Sequence, residues 1–145
     1  MTNASDAYDL ERFVHAQAGV FEQVRAELQD GEKQSHWMWF IFPQVQGLGG
    51  GPMARKFAIS GLEEAAAYLR HPVLGRRLRE CTQLVCRVEG RSIEQILRHP
   101  DNLKFRSSMT LFAQATADNQ LFVDALARYC DGEFDPRTLQ QLGRT

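Results

Sequence analysis

Apolar residues near the start of the chain recur at intervals of three, four and seven: Leu10, Phe13, Val14, Phe21, Val24 and Leu28. That spacing winds onto one face of a helix, so an amphipathic helix is predicted from Asp9 to Asp30, broken or bent near Gly19 and stopped by Gly31. Ser60 is predicted to cap a helix carrying Leu62, Ala65, Ala66 and Leu69, with Glu63 as its capping-box partner and an end at His71-Pro72. Pro72 opens the next helix, in which Leu74, Leu78, Cys81, Leu84, Val85 and Val88 face inward as far as Gly90. Ser92 starts a short helix closed by His99-Pro100. Asp101 caps one carrying Leu103, Phe105, Met109 and Phe112, and Leu121, Phe122, Ala125, Leu126 and Tyr129 mark another. Asp135-Pro136 opens a last short turn, with proline at the first helical position. No two-residue alternation lasts long enough for a sheet. The predicted fold is all-α: a single-domain orthogonal or irregular bundle of about six to eight helices over residues 1–145, with 1–7 and 144–145 loosely ordered. LRHP occurs twice, at Leu69–Pro72 and Leu97–Pro100, but the residues that follow differ, so it reads as one way of ending a helix used twice rather than as a repeat.

One stretch departs from the amphipathic pattern. SHWMWFIFPQ, residues 35–44, places six apolar side chains in a row, including both tryptophans, between His36 and Pro43. A lone strand would leave its backbone unpaired, so a short helix is expected, apolar all round and therefore enclosed by protein. Pro43 ends it. Met38, Ile41 and Phe42 read as core. His36, Trp37 and Trp39 admit a second reading, as one edge of a cleft, because an indole N–H needs a partner and a histidine at a helix start can point outward.

The next segments extend that reading. Gln44, Gln46 and the glycines of GLGGGP lead into Pro52 and then Arg55 and Lys56, a loop-to-helix start that exposes backbone N–H groups of the kind that hold phosphate or carboxylate. No Gly-Lys-Ser/Thr closes it at P-loop spacing, and a plain surface loop is the alternative. In DNLKFRSSMTLF, residues 101–112, Ser107, Ser108 and Thr110 interrupt an apolar helix. Lys104 lies three and four positions before the serines and so shares their face. The group suits an anion or a polar ligand. A Ser-Lys nucleophile would also need an oxyanion hole, which is not identifiable, and helix-to-helix hydrogen bonding by the serines is the structural alternative.

Composition narrows the function classes. With 17 Lys+Arg against 18 Asp+Glu the formal net charge is −1, so no global field drives the chain onto nucleic acid or membrane. The arginines at 76, 77, 79, 87, 91 and 98 lack interleaved aromatics and read as a solvated face, which argues against a nucleic-acid partner. Cys81, Cys86 and Cys130 cannot all pair and lack a two-residue spacing, so free thiols in a reducing cytosol are expected. No metal site is nominated and no cofactor is predicted. The start of the chain is polar and acidic, unlike a signal peptide, and no run nears the about 20 apolar residues of a membrane span; a soluble cytoplasmic protein is expected.

SHWMWFIFPQ, LGGGPMARKFAISGLEEAAAYLRHPVLGRRLREC and DNLKFRSSMTLFAQAT closely resemble the family called domain of unknown function 1810, over Asp9 to Gly143. The resemblance implies a small all-helical fold. Where a serine is expected in the glycine loop, this chain has GLGGGP. A fainter similarity is to the NADAR group, through the order of an aromatic helix, an Ala-Arg-Lys helix start, a Glu-Ala-rich helix and a Met-centred helix. That similarity implies chemistry on NAD or ADP-ribose, although the group's Glu-centred motif is not evident here. Three functions follow as expectations: a binding domain for a phosphate-bearing, nucleotide-like anionic small molecule, an ADP-ribosyl N-glycosidase-like enzyme, or a protein-interaction module without a ligand. The candidate ligand-binding residues are His36, Trp37, Trp39, Gln44, Arg55, Lys56, Lys104, Ser107 and Ser108.

Overall fold

The helical period is realised as ten helices among residues 6–144, the range described by a computed structural model. The loose ends expected at 1–7 and 144–145 fall mostly outside that range. In order these are α1 (Glu11–Gln17), α2 (Phe21–Gln29), α3 (Met38–Ile41), α4 (Pro52–Lys56), α5 (Leu62–Arg70), α6 (Leu74–Arg87), α7 (Ile93–Leu97), α8 (Asp101–Ala115), α9 (Gln120–Tyr129) and α10 (Pro136–Gln141). The all-helical class stands. The count exceeds six to eight because single-turn pieces such as α3 and α4 form elements of their own. The break at Gly19 separates α1 from α2 as the pattern requires. The nearest approach to sheet is an isolated parallel bridge between Val45 and Ile59.

Three helix starts differ from expectation. α6 begins at Leu74 with Val73 in the cap position, so Pro72 sits in the turn before the helix rather than opening it. Gly61, not Ser60, occupies the cap position of α5, which moves the reciprocal acid from Glu63 to Glu64. Glu64 Oε1 accepts from the Ser60 N–H at 2.9 Å and the Ser60 hydroxyl at 2.8 Å, while Oε2 accepts from Arg12 Nη2 at 2.9 Å. Asp101 is the first residue of α8 rather than its cap, and its carboxylate pairs with Lys33 at 3.1 Å and Lys104 at 3.5 Å. The starts of α7 and α10 follow the pattern. Ser92 and Gln95 form a full capping box, and the Asp135 side chain accepts from the Arg137 N–H.

α8 runs through the centre. Phe105, Met109, Leu111 and Phe112 are wholly buried, with α5 and α9 packed on either side. Tyr68 of α5 links two aromatic groups, its ring 5.0 Å from Phe13 and 5.3 Å from Phe112. Each buried ring removes enough apolar surface from water to contribute about 1.5–3 kcal/mol, so this aromatic chain is a large share of what holds α1, α5, α8 and α9 together. Gly75 permits the tight corner between α5 and α6: a methyl group there would lie 2.0 Å from the Leu69 carbonyl oxygen. No helix among the described residues is long and apolar enough to cross a membrane.

Candidate functional site: a cleft walled by Trp39

The segment that builds the site is held by one carboxylate. Glu27, on the buried face of α2, accepts hydrogen bonds from the Gln34 N–H (2.8 Å), the Ser35 N–H (3.0 Å), the Ser35 hydroxyl (2.6 Å), Trp37 Nε1–H (2.9 Å) and Gln23 Nε2–H (3.1 Å). Burial works against its charge, but the donors outweigh burial and hold the carboxyl at about 2, far below its ordinary range. Trp37 is thereby fixed in the core with its indole N–H satisfied and Lys33 over its ring. α3 follows at once. Its far end is tied down by Gln17, whose Nε2 donates to the Phe40 carbonyl at 2.8 Å. Pro43 then turns the chain outward, and Trp39, half-buried, is left facing solvent on the opposite side from Trp37.

Beyond Pro43 the chain runs extended through Gln44–Gln46, pairs with Ile59, and enters the glycine loop and α4. The Ile59 N–H donates to the Gln44 carbonyl and its carbonyl accepts from the Gln46 N–H, both at 2.8 Å. Arg12 straps the returning segment to α1, donating to the carbonyls of Lys56 and Ala58 at 2.8 Å each. Gly47 has φ +92°, and a methyl group there would lie 2.8 Å from Gln141 Oε1, so the loop rests directly on α10. α10 is fixed by Asp135, which accepts from Ser107 Oγ and Thr138 Oγ1 at 2.7 Å each, while its own N–H donates to Thr110 Oγ1 at 2.9 Å. Burial opposes the charge on Asp135, yet these hydrogen bonds and the nearby Arg106 keep its carboxyl below the ordinary range. The hydroxyls that interrupt α8 are thus used largely to dock α10.

These elements enclose a cleft of two adjoining lobes with Trp39, Gln44, Gly49 and Ala54 as their shared wall. The first, about 570 Å³, is lined by Gln46, Phe57 and Gln141 together with Arg55 and Val45. The second, about 490 Å³, is lined by Lys104, Ser107 and Arg137 beneath an apolar rim that includes Met53 and Leu103. Lys104 lies over the Trp39 ring, 5.7 Å from its centroid, and also pairs with Asp101. Arg55 Nη1 donates to the Gly50 carbonyl, and Arg137 Nη2 to the Leu48 carbonyl at 3.3 Å. Three cations therefore border the cleft, and among the described residues no Asp or Glu lines either lobe.

Of the residues singled out from sequence, Trp39, Gln44, Arg55, Lys104 and Ser107 meet in this cleft. His36 lines a smaller depression of about 280 Å³ that shares Trp39 and Pro100 with the second lobe. The others are placed elsewhere. Trp37 is 2% exposed and belongs to the core. Ser108 is fully buried, its hydroxyl without a hydrogen-bond partner among the described residues. Lys56 lies on a separate shallow surface beside Asp9, Arg12 and His15, its ammonium near the Phe57 ring. Sequence reading missed Arg137 and Gln141. Both sit on α10, far along the chain from the aromatic segment, and only the contact of that helix with the glycine loop brings them in.

The model of the family described as protein of unknown function, DUF1810, matches residues 7–142, and the chain belongs to that family. The fold is similar to the crystal structure of the conserved hypothetical protein Rv1873 from Mycobacterium tuberculosis. The two are 57% identical with a TM-score of 0.94, over 97% of this chain and 100% of that one. Comparison with curated proteins finds no match.

Proposed function

We propose that this member of the DUF1810 family binds a phosphate-bearing, nucleotide-like small molecule in the Trp39 cleft. The observation that carries the reading is the convergence of Arg55, Lys104 and Arg137 on a cleft in which no described lining residue is acidic. In a partly enclosed site such cations favour an anion, and charge-assisted hydrogen bonds to phosphate are the strong ones. Trp39 offers a ring face on which a planar group stacks. The backbone N–H groups of the glycine loop add donors. α4 has only five residues, so the loop and the side chains, not a helix dipole, are the basis of the anion preference.

The glycosidase alternative has less support, because cleaving a glycosidic bond calls for a carboxylate beside the scissile centre. The two acids that touch lining residues of the second lobe are both committed, Asp135 to holding α10 through Ser107 and Thr138, and Asp101 to the ammonium groups of Lys33 and Lys104. The interaction-module alternative would draw on exposed Met53 and Leu103, which here form the rim of the cleft rather than a separate patch. Three unpaired thiols suit a reducing compartment, and we place the protein in the cytoplasm.

A thermal-shift screen with nucleotides, NAD, ADP-ribose and simple phosphates tests the reading. A ligand at about a hundred times its Kd stabilises the fold by about 2.7 kcal/mol. A shift with phosphate-bearing compounds that is lost in Lys104→Ala supports the proposal; no shift across the panel near millimolar concentration removes it.

A further inference from the structure

We propose that the two lobes divide one nucleotide between them, the first reading the edge of a nucleobase and the second holding the phosphates. This rests on the anion-binding reading of the same cleft and adds to it the identity and placement of the uncharged part of the ligand.

The lobes differ in chemistry. The second offers two cations, Lys104 and Arg137, together with the glycine backbone. The first offers three neutral side-chain amides, Gln44, Gln46 and Gln141, and one cation, Arg55, whose Nη1 is engaged by the carbonyl of Gly50 in the second lobe. None of the three amide side chains is hydrogen-bonded to any described residue, and each carries both a donor and an acceptor, the combination that pairs with the mixed donor and acceptor edge of a base.

A fixed pair of groups stands beside them. Ile59 makes both of its bridge hydrogen bonds with the residues flanking Val45, donating to the Gln44 carbonyl and accepting from the Gln46 N–H. In that pattern the N–H and C=O of Val45 itself point to the other side of the strand. They have no partner among the described residues, although Val45 is only 3% exposed and lines the first lobe. Backbone groups on so buried a residue are almost always paired, with protein or with water, so these two are free to bond a polar edge that enters the lobe. The rings of Trp39 and Phe57 supply apolar walls, and each lobe is of ligand-pocket size. Since Trp39 and Gln44 border both lobes, a planar base in the first places its attached sugar at their junction and its phosphates beside Lys104.

Calorimetric titration with ADP, GDP, UDP, inorganic pyrophosphate and ribose 5-phosphate tests the division, using the wild type and Gln46→Leu, Gln141→Leu and Lys104→Ala. Gln46, Gln141 and Lys104 lie at least partly at the surface, and melting curves check that each variant folds. At least one nucleoside diphosphate is expected to bind about tenfold or more tightly than pyrophosphate. That margin should shrink in Gln46→Leu or Gln141→Leu with pyrophosphate affinity unchanged, whereas Lys104→Ala should weaken every probe. Equal binding of pyrophosphate and the best nucleoside diphosphate overturns the division and leaves the anion reading standing. So does a margin that survives in both glutamine variants. Binding by none of the probes overturns both.

Discussion

Replacing Glu27 by glutamine keeps the shape of the side chain and removes its charge. The carboxylate accepts five hydrogen bonds and is held at about 2 against an ordinary value of 4.5. Because the folded value is the lower one, the charge contributes its full stabilisation above about 4.5 and loses it as pH falls toward about 2. The interval is worth at most about 3.4 kcal/mol. Gln23 is exposed and Ser35 only half-buried, so water reaches one side of the cluster, and the screened contribution is nearer 2 kcal/mol. Urea unfolding followed by circular dichroism should therefore show Glu27→Gln about 2 kcal/mol less stable than wild type at pH 7. The gap should narrow below pH 4.5 and close only as pH falls below about 2, where the native side chain itself becomes neutral. A gap that stays constant from pH 7 to pH 3, or one below about 0.5 kcal/mol at pH 7, would refute the assignment of this carboxylate as the clasp of the 31–37 turn.

Gly75→Ala should be among the most damaging single methyl additions, costing about 3 kcal/mol or more, since the clash is with backbone and cannot be relieved by a side-chain rotation; a fall in melting temperature of only a degree or two would contradict it. Gly47→Ala strains a left-handed position and pushes against the Gln141 amide, so a loss of about 1–2 kcal/mol is expected in denaturant titration, with ligand affinity falling as well. Burial pushes the Cys81 thiol up to about 12 and Cys130 up to about 11, and raises Cys86 as well. A disulfide reagent at pH 8 should titrate all three rapidly only after denaturation, and fast stoichiometric reaction of Cys81 in the native protein would argue against its burial.

Long amphipathic stretches were legible from spacing alone. α2, α5, α6 and α9 each repeat an apolar face often enough for the period to dominate, and the breaks at Gly19 and Gly90 follow from residues that end helices. Elements of one turn carry no period, which is why α3 and α4 could be placed but not counted. Trp37 and Trp39 were grouped as one shelf, yet residues two apart around a helix point about 200° from each other, so one faces in when the other faces out. Glu27 left no trace in the pattern: it is one acid among several on a helix, and its role depends on donors supplied by a turn that periodicity does not describe. The hydroxyls of α8 were visible as an anomaly, but Asp135, which meets Ser107 and Thr110, lies a helix and two turns further on. The cleft residues from the aromatic segment and α8 were found because they were locally unusual; those from α10 were ordinary residues made special by docking.

The opposed settings of the two tryptophans give the molecule a pair of built-in optical reporters. Trp37, sealed against Glu27 and Lys33, should emit toward the blue and change only when the fold opens. Trp39 forms a wall of both lobes and of the depression beside His36, so its emission should respond to whatever enters any of them. A Trp39→Phe protein then signals unfolding alone, and the difference between its spectrum and that of the native chain isolates occupancy of the cleft, which lets ligands be screened by colour and quenching without any label.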